Sequence, residues 1–284
     1  MQPNAPEGPN AAQIAYWNAE AGKTWTQMQE ALDLELEPLG QAVMRALAPK
    51  AGENLIDIGC GGGTTTLDLA GHVGPLGRVL GVDISSPLLA VAERRGLEAG
   101  LANVAFSEAD AQTHSFAGDA DGIFSRFGVM FFSQPEAAFA NLRSALKTGG
   151  RLAFVCWRKA AESQCMSLPM AAAISAAPEI APAPGDPLAP GPFAFADPER
   201  LRGILKGAGF RDVNITAYDQ PVTVGDVDAT LAFSMRVGML GALLREAPQH
   251  RLTVTDAVRA ALENHVIDGQ VWLGAATWVV TAKT

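Results

Sequence analysis

Apolar and polar positions divide the chain into three stretches. Over AQIAYWNAEAGKTWTQMQEALDLELEPLGQAVMRALA, positions such as Met28, Leu32 and Leu36 recur every fourth residue, which predicts one or two helices. Pro38 is expected to divide them, because it removes a helical amide. From Asn54 to Trp157 short apolar runs alternate with amphipathic ones. NLIDIG, RVLGVDIS, VAFSEAD, DGIFSRF and GRLAFVCW read as buried strands. Thr64 to Ala70, PLLAVAERRGLEAG and PEAAFANLRSAL read as helices, the second opening at Pro87 and stopping near Gly100. Such alternation with short connections requires a parallel sheet covered on both faces.

The pattern changes after Trp157. Met166 to Ala177 predicts a helix of small residues, whereas PEIAPAPGDPLAPGPFAFADP holds too many prolines for a helix or a central strand and is expected to be a long surface loop. Asp197 with Pro198 marks a helix start and Gly209 its stop, and RDVNITAYDQPVTV resumes as a strand. Helices over Ala229 to Glu246 and Thr253 to His265 and a last strand, VWLGAATWVVTA, complete the prediction.

Composition narrows the partners. With 284 residues, 48% hydrophobic and 18% charged, the chain has enough apolar material for one α/β core with additions. The formal net charge of -9 repels nucleic acid and anionic membrane unless the basic residues gather on one face. They occur singly or in short pairs such as Arg94-Arg95 and Arg158-Lys159, so neither partner is expected. Cys60, Cys156 and Cys165 are odd in number and lack metal spacing, which points to a reducing compartment and no metal site. The start MQPNAPEGPNAAQ has no signal-peptide pattern, and a cytoplasmic protein is expected.

The stretch LIDIGCGGGTTTLDLA carries the chemistry. Bare backbone between a strand and a helix lets a ligand approach the main chain more closely than a Cβ permits. A dinucleotide site wants Gly-x-Gly-x-x-Gly/Ala with an acid roughly 20 residues on. Gly59 and Gly61 supply the first two positions, but Thr64 occupies the third; a frame starting at Gly61 meets Thr66 there. Asp83 nevertheless ends the second strand at a distance suited to a ribose. The pattern specifies a nucleoside site without its pyrophosphate half.

The runs IDIGCGGG, VLGVDIS, SEADAQ and DGIFSRFGVMFF closely resemble class I S-adenosylmethionine-dependent methyltransferases, above all the bacterial small-molecule branch grouped with the ubiquinone/menaquinone C-methyltransferases. AYWNAEAGKTW and LGAATWVVTA are similar to that subfamily too, so the likeness covers most of the chain. Gly62 departs from it, since many relatives carry Thr there. The resemblance implies an α/β, Rossmann-like, doubly wound seven-stranded sheet, mostly parallel with an antiparallel last strand, plus N-terminal helices and an inserted substrate cap. It implies an N-terminal helical lid over residues 1–50, a cofactor-binding domain over 51–160 and 198–284, and an inserted cap over 161–197.

The same resemblance implies S-adenosylmethionine as cofactor. The loop from Gly59 to Gly63, Gly61 included, would receive its carboxylate, with Asp57 facing its ammonium, directly or through water. Asp83 would accept both ribose hydroxyls and Asp110 the adenine amino group, with Ile84 and Ala111 near the ring; Ser125, Arg126 and Phe127 would close over the methionine moiety. Plainer readings stand beside these. Asp110 is equally suited to cap a turn, and Arg126 to pair with Asp119 or Asp121. Cys60 reads as a packing residue, and Tyr16, Trp17 and Trp25 read either as an aromatic lid or as core.

Methyl transfer from a sulfonium is an in-line displacement that needs alignment in a dry cavity, and a base only where the acceptor must lose a proton. His114 is the best placed of four histidines, although a loop histidine is more often a turn cap, and no catalytic residue is assigned. Met130, Phe131, Trp157, Phe193 and Phe195 are expected to face an apolar or aromatic acceptor, or to be core. The acceptor, its O-, C- or N-nucleophile and the oligomeric state are left open, a homodimer among the options. The alternatives are a nucleotide-binding oxidoreductase, disfavoured by Thr64 and the lack of a Tyr-x-x-x-Lys pair, and a non-methylating S-adenosylmethionine-binding protein.

Overall fold

The computed structural model describes residues 8–183 and 185–284. Three helices lead: α1 (Ala11–Asn18), α2 (Glu20–Gln27) and α3 (Gln29–Leu47). The alternating region follows as β1 (Asn54–Ile58), α4 (Thr64–Val73), β2 (Arg78–Asp83), α5 (Ser86–Glu98), β3 (Val104–Glu108), β4 (Ala120–Arg126), α6 (Pro135–Ala145) and β5 (Leu146–Trp157). After α7 (Gln164–Ala176) come α8 (Pro198–Gly207), β6 (Arg211–Val222), α9 (Val227–Ser234), α10 (Gly238–Glu246) and α11 (Arg251–Glu263). A small hairpin of β7 (Val266–Ile267) and β8 (Gln270–Val271) leads into β9 (Leu273–Lys283).

The seven-stranded sheet runs β3-β2-β1-β4-β5-β9-β6. Its pairs from β3 to β5 are parallel, and β9 inserts antiparallel between β5 and β6, so the expected mostly parallel sheet with an antiparallel last strand is the one observed. Leu55, Ile56, Asp57 and Ile58 of β1 are all buried, as a strand covered on both faces requires. Strand order reverses between β1 and β4, the place where open α/β sheets leave a crevice beyond their carboxyl ends.

Several local expectations are corrected. Pro38 lies inside an unbroken α3, and the breaks fall at Ala19 and Met28 instead. Its missing amide would have served the carbonyl of Leu34, an exposed residue whose carbonyl water can satisfy. The helix expected over 229–246 is two helices, turned at Gly238, which takes φ +68. The Pro-rich stretch is not wholly a surface loop, because Phe195 is fully buried against Phe139. Asp197 caps α8 as expected, accepting from the amides of Glu199 and Arg200.

Two apolar clusters result. The larger joins α3, the sheet, α6 and α8, with Phe124, Phe139 and Phe154 at its centre. The second packs Met170 and Ala173 of α7 against Leu231, Leu240, Leu244, Val254, Val258 and Leu262. Within the segment expected as an insertion over 161–197, α7 thus packs with α9 to α11, while Ala194 and Phe195 join the larger cluster.

Candidate functional site: a cleft at the carboxyl ends of β1, β2 and β4

Gly59 follows β1 with φ +69, and a Cβ there would lie 2.6 Å from the Gly128 Cα, so the chains leaving β1 and β4 meet backbone to backbone. Ser125 stitches the same junction. Fully buried, its hydroxyl donates to the Ile58 carbonyl at 2.7 Å and accepts from the Gly128 amide at 3.2 Å.

Asp57 sits beneath the loop with no exposed surface. Its Oδ2 accepts from the hydroxyls of Thr65 and Thr66, each at 2.7 Å, while Oδ1 has no partner among the described residues. Burial pushes its carboxyl up to about 6, against the pull of the two hydroxyls and of Arg126. An orphaned buried carboxylate oxygen is costly unless a donor or cation reaches it.

At the end of β2, Asp83 accepts from the Gly61 amide at 2.8 Å and from the Ser85 amide at 2.9 Å. Burial raises its carboxyl while these backbone donors lower it. Asp110, beyond β3, accepts from the Gln112 amide at 3.0 Å and from the Asn10 carboxamide at 3.4 Å. Asn10 is buried and its own Oδ1 lacks a partner among the described residues. The N-terminal helices are clamped over β2 by Asn18, whose Nδ2 donates to the Ile84 carbonyl at 2.7 Å and whose Oδ1 accepts from the Ser86 amide at 2.9 Å. The Ser85 hydroxyl donates to the Trp17 carbonyl at 2.9 Å.

Arg126 pairs with neither Asp119 nor Asp121. Its Nη2 donates to Asp33 Oδ1 at 3.3 Å, across from α3, while Asp121 is taken by Lys147 and the Asn54 amide. Burial raises the Asp33 carboxyl, but Arg126, Gln29, Thr64 and Arg95 together hold it below the usual carboxylate range. Phe127 adopts φ +64, a left-handed conformation that costs a non-glycine residue about 1–3 kcal/mol, and its ring stacks on Trp157 at 4.4 Å.

One cleft collects most of the expected positions: Trp17, Trp25, Gly59, Asp83, Ile84, Asp110, Ala111, Arg126 and Phe127 all line it. Tyr16, Asp57 and Gly61 do not; Tyr16 is 46% exposed, Asp57 lies below and Gly61 reaches the cleft only through Asp83. Among the expected acceptor-side residues, Met130, Phe131 and Trp157 line the cleft, and Phe193 and Phe195 do not. Trp17 packs edge-on against Trp25 and Phe131, each at 5.2 Å, joining the N-terminal helices to the wall. Asn10, Leu32, Leu36, Met166, Pro192 and Val237 line it unforeseen. His114 packs on Phe116 outside it. Cys60 is buried, and burial with the nearby Asp83 and Asp57 charges keeps its thiol protonated.

A glycine loop and strand-end acids meet at the reversal of this strand order, the arrangement that the resemblance to class I S-adenosylmethionine-dependent methyltransferases implies. Residues 55–150 match the model of a methyltransferase domain family. The chain is similar to the aklanonic acid methyltransferase of a Streptomyces species, at 34% identity over 118 residues, 41% of this chain and 54% of that protein. It is 26% identical to the nocamycin O-methyltransferase of Saccharothrix syringae over 254 residues, covering 87% and 90%. A ubiquinone/menaquinone biosynthesis C-methyltransferase of Saccharophagus degradans is 34% identical over 36% of this chain and 42% of that one. The chain thus spans about half of the first relative and less of the third in these matches. In fold it resembles an N-methyltransferase of Haemonchus contortus solved with phosphomonomethylethanolamine and S-adenosylhomocysteine, with a TM-score of 0.61, 17% identity, and coverage of 98% of this chain and 61% of that one.

Proposed function

We propose that the chain transfers a methyl group from S-adenosylmethionine to an apolar, aromatic or polyketide-like small molecule held in this cleft. The observation that carries the reading is the chemical division of one cavity. Asp83, Asp110 and the bare backbone at Gly59 supply polar lining, and Leu32, Leu36, Met130, Trp157 and Met166 apolar lining. The cofactor, when bound, supplies an electrophilic methyl group on a sulfonium.

The residues fit such a ligand. Asp83 spends one lone pair of each oxygen on backbone amides and keeps others for the ribose hydroxyls. Asp110 and the orphaned Oδ1 of Asn10 suit an adenine amino group, and the unpartnered Oδ1 of Asp57 suits an ammonium, directly or through water. Arg126 offers donors to a carboxylate, whereas the amides of Gly59, Cys60, Gly61 and Gly63 already donate within the fold, to Val82, Asp83 and Cys60. Trp17 and Trp25 exclude water, with α1 and α2 acting as a lid and α7 with α9 to α11 as the acceptor cap. Among the described lining residues the titratable ones are Asp83, Asp110 and Arg126, so alignment in a dry site supplies most of the rate. The small-molecule methylations named for the aklanonic acid and nocamycin relatives support this acceptor class. Incubation with radiolabelled S-adenosylmethionine and a panel of phenols, enols, amines and keto compounds tests it. Label transferred to an organic-soluble product is expected; S-adenosylhomocysteine binding without turnover anywhere in the panel would favour a non-methylating protein.

A further inference from the structure

Asp33 belongs to α3, outside the region that carries the glycine loop, yet it is the centre of that region's side-chain contacts. Both its oxygens accept from the Thr64 hydroxyl at 2.8 Å; Oδ2 also accepts from Arg95 Nη1 at 3.1 Å and Oδ1 from Arg126 Nη2 at 3.3 Å. Arg95 Nη1 donates in turn to Thr64 Oγ1 at 2.7 Å and to the Gly62 carbonyl at 3.3 Å. Thr64 is the first residue of α4, Gly62 lies in the loop, and Arg126 ends β4.

The neighbours of Asp33 on α3 complete a rail along the loop. Gln29, one turn earlier, leaves no room for a side chain at Gly62, where a Cβ would lie 2.5 Å from its Oε1. Gly40, two turns later, lets the Arg126 stem cross the helix, and a Cβ there would lie 3.1 Å from Arg126 Cδ. Arg126 lines both the cleft and a groove behind it that also holds Asp33, Glu37 and Asp68. Three carboxylates thus surround one guanidinium, and the bond goes to Asp33. Among the described residues Nε and Nη1 of Arg126 make no hydrogen bond, which leaves them to an anion in the cleft.

We propose that Asp33 is a positioning residue: by gripping Thr64, Arg95 and Arg126 together it presets the glycine loop and the Arg126 guanidinium for the amino-acid tail of the cofactor. This rests on the reading of the cleft given above. A part-buried ion pair adds little net stability once desolvation is counted, so the role shows in affinity for the tail rather than in melting.

The test compares S-adenosylhomocysteine, which carries the tail, with methylthioadenosine, which shares the nucleoside and lacks it, by calorimetric titration. Asp33→Asn is expected to weaken S-adenosylhomocysteine by roughly tenfold, the scale of one misaligned charge-assisted hydrogen bond, and methylthioadenosine by less than about twofold. Equal losses for both ligands would make Asp33 merely structural, and no loss for either would remove its role; each overturns the proposal. Should Asp33→Asn fail to fold, Asp33→Glu displaces the charge by one methylene and carries the same two titrations. Arg126→Met is expected to show the same selectivity, and the double variant to lose no more than Arg126→Met alone; additive losses would overturn the coupling. A wild-type chain that binds neither ligand would instead sink the cleft reading.

Discussion

The end of the sheet around β1, β2 and β4 and the cluster of α7 with α9 to α11 border the same cleft, yet they are held by different forces. The first is fixed by polar anchors: Asp57 on the hydroxyls of Thr65 and Thr66, Asp83 on two amides, Ser125 on the Ile58 carbonyl. The second is fixed by apolar packing, with Ala173, Leu244, Val254, Val258 and Leu262 wholly buried. Polar anchors demand one geometry, whereas an apolar cluster tolerates exchanges of similar volume. Damage to the first should therefore appear as lost binding, and damage to the second as lost stability.

The largest expected effect is Gly59→Val. A side chain forced onto φ +69 and against the Gly128 Cα should cost more than about 3 kcal/mol and abolish S-adenosylhomocysteine binding. Denaturant unfolding and titration measure both, and retained binding would dissolve the contrast. Next, Leu244→Ala in the second cluster should lose about 2–4 kcal/mol of stability with cofactor affinity changed by less than roughly threefold. A parallel loss of affinity would show the two regions to be one unit. Asp83→Ala should reverse that pattern, lowering S-adenosylhomocysteine affinity by about 2–3 kcal/mol in calorimetry, more than it lowers unfolding free energy.

The smallest effect lies at the seam. Glu35 of α3 faces a small cavity shared with Cys165, Thr230 and Ser234, and burial lifts its carboxyl from an ordinary 4.5 to about 7. A folded value above the unfolded one means that the folded chain binds this proton more tightly. Its contribution is therefore most favourable below about 4.5 and is lost as pH rises through 7. Glu35→Gln should stabilise the protein at pH 8 by about 1 kcal/mol, since Glu35 keeps partial solvent contact, and should leave pH 4 nearly unchanged. Thermal melts at the two values check the sign.

What the sequence made legible follows the same division. Gly59, Gly61 and Asp83 were readable because a loop that holds a nucleoside needs bare backbone and an acid at local spacings. Asn10 and Asp33 were not, because their partners Asp110 and Arg126 stand 100 and 93 residues away. The sequence marks Arg126, but its carboxylate comes from another element, and Asp121, nearby in the chain, is committed to Lys147. The turn at Gly238 and the burial of Phe195 both depend on tertiary packing that periodicity does not encode.

Three of the five tryptophans, Trp17, Trp25 and Trp157, face the cleft, and Trp17 and Trp25 meet edge to face. The molecule therefore carries its own optical reporter. Occupancy by an adenine ring or an aromatic acceptor changes the surroundings of most of its indoles at once, so intrinsic emission can follow the arrival of each ligand without any label.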